Sequence, residues 1–291
     1  MSKGYSSQEY ECLFDVDNQI SIAEMLRNDA VLRYRTRTIT CGKMVECEIY
    51  PIWKRRPEVQ KARQFVTSEA QKKVNDRNAK KKLIRKLNTN FDENDVVCHL
   101  TYEETPPDMV QAKKDIQNYI RRVRDYRKKN NMTEFKYLYV IEYDDGQSRE
   151  KTKRIHQHIV MSGMDRDIAE KLWTNGIANC DRLKPDEYGL EALGRYMTKD
   201  PKGYKRWAGS KNLAEFTKES VADHKITVRK IERIATQFDE QAGKIFAKEF
   251  PACKVLSIEV KRSDHVAGAY VYAKMNKSDP KPREKRRHVG Y

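Results

Sequence analysis

The sequence predicts an α+β fold in which a central antiparallel sheet carries helices on one face, leaves the other face open, and is extended at both ends. Three observations carry that prediction. Between residues 92 and 199 the hydrophobic pattern changes period in the order β-α-β-β-α-β-α. Within it, Met109, Ala112, Ile116, Tyr119, Ile120, Val123 and Tyr126 recur at helical spacing, an apolar stripe suited to packing on a sheet. The polar stretch 144–153, between two apolar runs, contains an Asp-Gly turn signal, so the runs on either side of it are expected to form a long antiparallel hairpin.

In chain order, residues 31–53 alternate β-branched or aromatic residues with charged ones around Gly42-Lys43, the pattern of a hairpin. Residues 68–87 are dense in Lys and Arg, with Ser68 and Gln71 spaced as a capping box and Ala70, Val74, Leu83, Ile84 and Leu87 as a sparse apolar side. This is a basic helix, read either as a solvated face or as a phosphate-facing arm. Residues 88–94 read as a loop and 96–102 as a buried strand. Thr105 caps the striped helix, with Pro106 in its first turn, where a missing N–H costs nothing. Residues 137–143 and 155–161 are strands, 165–173 a short helix, 177–183 a short strand and 185–199 a helix. The order suits a split β-α-β plan like that of RNA-recognition modules. A basic, Gly-containing loop (200–211), a helix near 223–238, a strand pair around 254–272 and a basic tail from 279 follow. The expected organisation is an N-terminal basic accessory region (1–91), a central domain (92–210) and a small C-terminal α/β region (211–291).

Composition narrows the partners. The 291 residues carry a formal net charge of +16, the electrostatic footprint of a protein that meets a polyanion. Nucleic acid is the first candidate, a membrane surface or acidic protein the alternative. No stretch of about eighteen apolar residues and no signal-like N-terminus occurs. The six cysteines contain no Cys-x-x-Cys pair, which argues against a zinc ribbon and against a disulfide-stapled secreted scaffold. A cytoplasmic location with no membrane partner is expected.

The chemistry centres on His156-Gln157-His158. A strand alternates its side chains, so both imidazoles point to one side and Gln157 away. A third ligand from a neighbouring strand would complete a metal site, and Glu142, on the side of its strand shared with Leu138 and Val140, is the candidate. Two imidazoles and a carboxylate leave positions open on Mg²⁺ or Mn²⁺ for a phosphate oxygen, although zinc would also fit the donors. A pair of surface histidines is the plain alternative. His99, on the strand that leads to Thr101, either points to the same open face, as a group supporting the metal ligands or a substrate contact, or sits as a satisfied core histidine. On the last helix, Leu190, Leu193 and Met197 form the apolar stripe, and Tyr196 and Lys199 fall to one side of it. A phenol is a poor nucleophile at neutral pH. Lys199, three residues on, supplies a positive neighbour; it could also steady a phosphorane or protonate a departing 3′-oxygen. Tyr204, Arg206, Trp207 and Lys211 mix rings with cations, the composition that stacks unpaired bases and neutralises phosphates.

Taken in order, Cys98-His99-Leu100-Thr101-Tyr102, His156-Gln157-His158 and Tyr196-Met197-Thr198-Lys199 resemble the three motifs of the HUH endonucleases, in their rolling-circle replication initiator branch. Gln157 stands where that family usually has a hydrophobic residue. Asn75-Asp76-Arg77-Asn78-Ala79 and Ser210-Lys211-Asn212-Leu213 look like phage replication-associated proteins related to the filamentous-phage gene II protein. The resemblance implies an HUH fold over residues 92–205 and a metal-dependent tyrosine DNA endonuclease and strand transferase. Tyr196 would attack a phosphate of single-stranded or hairpin origin DNA, and His156 and His158 would hold the metal. It implies a catalytic role for Tyr196 with Lys199 in the same motif, and a bacterial host's helicase and polymerase as partners; DNA contacts are expected from His99, Thr101, Tyr204, Arg206, Trp207 and Lys211. Two rivals stay open: a mobilisation relaxase, whose tyrosine usually precedes the histidine motif, and a non-catalytic nucleic-acid-binding regulator.

Overall fold

The computed structural model describes residues 31–53, 69–142, 155–198, 207–236, 238–262 and 268–277. The chain divides into two compact units: residues 1–62 together with 217–291, and residues 63–216.

In the first unit, β1 (Val31–Cys41) and β2 (Met44–Trp53) form the expected hairpin, turning at Gly42, whose φ of 60° suits a residue without Cβ. Its partners come from the far end of the chain. β8 (Thr217–Ala222) pairs with β1, and β10 (Ala269–Lys277) joins β2 to β9 (Cys253–Arg262), all antiparallel, in the order β8-β1-β2-β10-β9. Helices α5 (Val228–Thr236) and α6 (Phe238–Glu249) contribute Ile231, Ile234 and Phe246 to a core with Tyr34, Ile49 and Val271. The serial division at 91 and 210 is therefore corrected. A lone hairpin is marginal in water, and this one gains its sheet from strands that begin only at Thr217.

The second unit is a five-stranded antiparallel sheet in the order β6-β3-β5-β4-β7: β3 is Val96–Thr101, β4 Tyr137–Glu142, β5 His156–Met161, β6 Ala178–Arg182 and β7 Ala208–Gly209. β3 and β4 are joined through helix α2 (Met109–Lys129), and β5 lies between them, antiparallel to both. The α+β class and the antiparallel sheet are as expected. The stripe of α2 covers one face: Ile116, Tyr119, Ile120 and Val123 pack on Val96, Cys98, Leu100, Ile159 and Met161. Its cap is Asp108, whose carboxylate accepts the Gln111 N–H at 2.8 Å, three residues later than the Thr105 start expected.

The opposite face is not open along its length. α1 (Glu69–Asn90) lays Leu83 and Leu87, with Phe91, against Leu138, Val140 and Val160, and α4 (Glu191–Met197) adds Met197, with Leu190 just before it. The reason is energetic: burying Leu83 and Leu87 fully, as here, is worth about 1.5–3 kcal/mol each. The apolar side of the basic helix, through Leu83, Ile84 and Leu87, is a packing surface, and the neighbouring Arg85 and Lys86 are buried with it. The helix runs through residues 88–90, expected to be loop; its proposed cap at Ser68 lies outside the described residues. Among the described residues of the expected 185–199 helix only 191–197 are helical, because Asp186 and Gly189 pair as an isolated bridge in a turn and Gly189 takes φ 67°. α3 (Arg166–Lys171), capped by Asp165, is as expected.

The cysteine reading also changes. Cys98 and Cys180, 82 residues apart, are joined by a disulfide; they are directly opposite in the β3–β6 register, with Cα atoms 4.1 Å apart, the near spacing of a non-hydrogen-bonded antiparallel pair. Among the described residues no helix is long and apolar enough to cross a membrane.

Candidate metal and tyrosine site

The register of the second sheet assembles the site. In antiparallel strands, directly opposite residues project from the same face. Glu142 is opposite His156, which is opposite Thr101; Val140 is opposite His158, which is opposite His99; and His99 is opposite Asn179 on β6. Two adjacent rows across one face therefore carry Glu142, His156 and Thr101, then Val140, His158, His99 and Asn179. Gln157 turns to the other face, fully buried, where its amide donates to Tyr102 Oη at 2.7 Å and the Ala112 carbonyl at 3.0 Å.

The three imidazoles form a compact cluster. His99 stacks on His158 with ring centroids 4.5 Å apart, and His156 lies 5.1 Å from each. One nitrogen from each of His99, His156 and His158 falls within 4.8 Å of the others, a group able to hold a metal ion. Glu142 stands beside it, its carboxylate oxygens 3.1 Å from His156 Nε2 and 3.6 Å from His158 Nε2. The second distance is too long for a hydrogen bond. Accordingly, His158 Nε2 and His99 Nε2 are buried and find no hydrogen-bond partner among the described residues.

Electrostatics favours the neutral, ligating form. Burial pushes the His158 imidazole down to about 4, reinforced by His99 and His156 and opposed by Glu142. Burial, then His156, also lowers His99. The His158–Glu142 contact is thus no ion pair near neutrality, because the neutral ring carries no charge. Buried neutral imidazoles with orphaned nitrogens are costly unless something accepts their lone pairs. A divalent cation fits that need.

Tyr196 reaches this cluster from α4. Its ring meets His158 edge-on at 5.1 Å between centroids and is 55 % exposed. The apolar stripe anchors the helix through Leu190 and Met197. Gly194 lets α4 approach α1 closely, since a Cβ there would lie 2.6 Å from Ile84 Cγ1.

The other expected residues divide. Thr101 lies on the histidine face, its Oγ donating to the Ile177 carbonyl at 2.9 Å. Lys211 is exposed in the turn after β7. Trp207 is half-buried, packed on the cluster around Leu83, and its indole N–H donates to the Ala79 carbonyl at 3.3 Å; its ring serves that packing. Lys199, Tyr204 and Arg206 lie outside the described residues. His99, expected to support the metal ligands, to contact substrate or to sit in the core, is itself a member of the imidazole cluster. The signal was its parity with Thr101 on β3, which acquires meaning only with the β3–β5 register.

A sheet face presenting clustered imidazoles beside an exposed tyrosine ring defines a class: proteins able to hold a divalent cation next to a tyrosine. Residues 95–201, a little over a third of the chain, match a family model of replication-associated proteins, described by its open-reading-frame-2 and gene II protein members. That segment, which contains every residue of the cluster and Tyr196, is similar to replication initiators of the filamentous-phage gene II type. No curated protein and no solved structure matches the chain.

Proposed function

We propose that the chain is a rolling-circle replication initiator that nicks and rejoins single-stranded origin DNA through a 5′-phosphotyrosine intermediate. The observation that carries this reading is the Tyr196 ring 5.1 Å from His158, at the edge of the three-imidazole cluster. His99, His156 and His158, with Glu142 beside them, would hold Mg²⁺ or Mn²⁺. Such a cation, when bound, would polarise a phosphate oxygen and offset the negative charge on the non-bridging oxygens.

The protein's residues do the rest. The exposed Tyr196 hydroxyl attacks phosphorus; a bond from Tyr196 Oη to phosphorus forms as the bond from phosphorus to the 3′-oxygen breaks. The phenolic proton is given up and the departing 3′-oxygen takes one, so one phosphodiester replaces another and no water is consumed. Reversal by a 3′-hydroxyl rejoins the strand. Neutral His99 and His158 keep their lone pairs for the cation, and the positive surplus of the chain, +16, draws the polyanion in. An origin DNA partner, with a host helicase and polymerase downstream, follows from this reading.

The test uses the full chain, Mn²⁺ and a labelled pool of single-stranded oligonucleotides with a randomised centre. A denaturant-resistant protein-DNA adduct that Tyr196→Phe and EDTA both abolish is expected. An adduct that persists in Tyr196→Phe, or none with the unaltered protein, overturns the reading.

A further inference from the structure

We propose that Ile177 and Asn179, at the exposed edge of the sheet beside the imidazole cluster, form a nucleobase subsite that holds a base next to the cut phosphate. The inference rests on the tyrosine-nickase reading and adds to it where a base is held.

The rows across the sheet locate the subsite. Asn179 is opposite His99. One residue before β6, Ile177 accepts the Thr101 N–H through its carbonyl at 2.9 Å, which continues the same pairing and puts Ile177 in the row of Thr101, His156 and Glu142. Ala178 and Cys180, of opposite parity, belong with the α2-side core, so Ile177 and Asn179 project from the imidazole face. Both are exposed, Ile177 to 74 %. Adjacent strands are about 4.8 Å apart, so Ile177 lies some two strand spacings from His156, a span that one nucleotide bridges from phosphate to base.

A single exposed isoleucine is ordinary; its backbone here is not. The Thr101 Oγ also donates to the Ile177 carbonyl at 2.9 Å, the Glu103 N–H donates to the Asn175 carbonyl at 3.0 Å, and Trp173 Nε1 donates to the Thr101 carbonyl at 2.9 Å. Between Asn175 and Ile177, Gly176 takes φ 146°, and a Cβ there would lie 2.5 Å from the Thr101 carbonyl oxygen and 2.4 Å from the Glu103 nitrogen. Only glycine permits this clamp. The result is a branched apolar side chain held on a fixed backbone and aimed into solvent beside the imidazoles. Asn179 adds an amide that both donates and accepts, as base edges do. Further along the same face, Asp181 is paired with Lys184 and Arg166, which offsets its repulsion of a phosphate. An apolar surface for a base plane, an amide for its edge and a neutralised carboxylate together fit a nucleotide better than a protein partner, which would need a wider apolar patch.

The experiment follows adduct formation by the full chain with Mn²⁺, first on the randomised pool, then on the preferred oligonucleotide with an abasic residue placed at each position around the cut. Ile177→Ala and Asn179→Ala change exposed side chains, and unchanged thermal unfolding and Mn²⁺ affinity would confirm that fold and metal site persist. In the unaltered protein, one abasic position flanking the cut should slow adduct formation about tenfold, the scale of one lost apolar contact. Ile177→Ala should be slowed by a similar factor and should lose nothing more from that abasic position, while Ile177→Val restores the sensitivity. Asn179→Ala should flatten the base preference at the same position. If both variants keep the original preference and abasic profile, the subsite is wrong while the nickase reading stands. If the unaltered protein forms no adduct, both fall.

Discussion

Gln157 and His158 are neighbours in one strand, both essentially buried, and their fates differ. The Gln157 amide spends its two N–H groups on Tyr102 and Ala112, tying β5 to the core under α2. His158, turned to the other face, keeps an orphaned Nε2 and a pKa pushed down to about 4. The protein meets the Gln157 N–H groups, although Gln157 Oε1 is also buried without a partner, whereas on the other face two clustered imidazoles each carry such a nitrogen. A buried polar atom without a partner is expensive on either face; what marks the histidine face for a ligand is that three imidazole nitrogens lie within 4.8 Å of one another.

That contrast can be broken most severely at the phenol. Tyr196→Phe should reduce the DNA adduct to background with Mn²⁺ affinity unchanged, since only the hydroxyl is lost; a denaturing gel and calorimetry read the two. Next come the imidazoles. His158→Ala or His99→Ala should weaken Mn²⁺ binding by at least about 100-fold, beyond the 10- to 100-fold typical of groups that merely support a ligand. Gln157→Ala should leave that affinity intact. A His99→Ala protein that binds Mn²⁺ normally would return His99 to a substrate-contact role.

Protonation sharpens the comparison on one face only. With a folded pKa of about 4 against 6.5 for an ordinary histidine, His158 binds fewer protons folded than unfolded between those values. Stability of the metal-free protein should therefore be full above about 6.5 and fall as pH drops toward about 4, by roughly 3 kcal/mol from this group. His99, shifted the same way, adds to the loss. Urea titrations between pH 7 and 4 measure it, and saturating Mn²⁺ should deepen the dependence because protons compete with the metal. The smallest effect is expected at Gln157 itself: Gln157→Ala strands the Ala112 carbonyl and should cost about 1–3 kcal/mol in urea unfolding, with adduct formation on the remaining folded protein unchanged.

Much of the sheet was legible because period-2 and period-3.6 patterns follow from local geometry. The β1–β2 hairpin, the α2 stripe and the opposite directions of Gln157 and the two histidines needed no tertiary information. The exposed phenol followed from the angle between Tyr196 and the stripe of Leu190 and Met197. Burial of the basic helix was harder to read. Leu83 and Leu87 are sparse among lysines, and nothing local says that Leu138, Val140 and Val160 wait for them.

What the sequence determined by itself is therefore the set of chemical groups and the side of the strand each one faces: the His156 and His158 pair, and a tyrosine off the apolar stripe of a late helix. What only the tertiary structure decided is the row each group occupies. Strand order and register bring His99 to His158 and Cys98 to Cys180, and they draw β8, β9 and β10 to a hairpin near the other end of the chain. Pairing partners across dozens of residues are chosen by the burial of whole faces, a property of the assembled layers that no window of sequence contains.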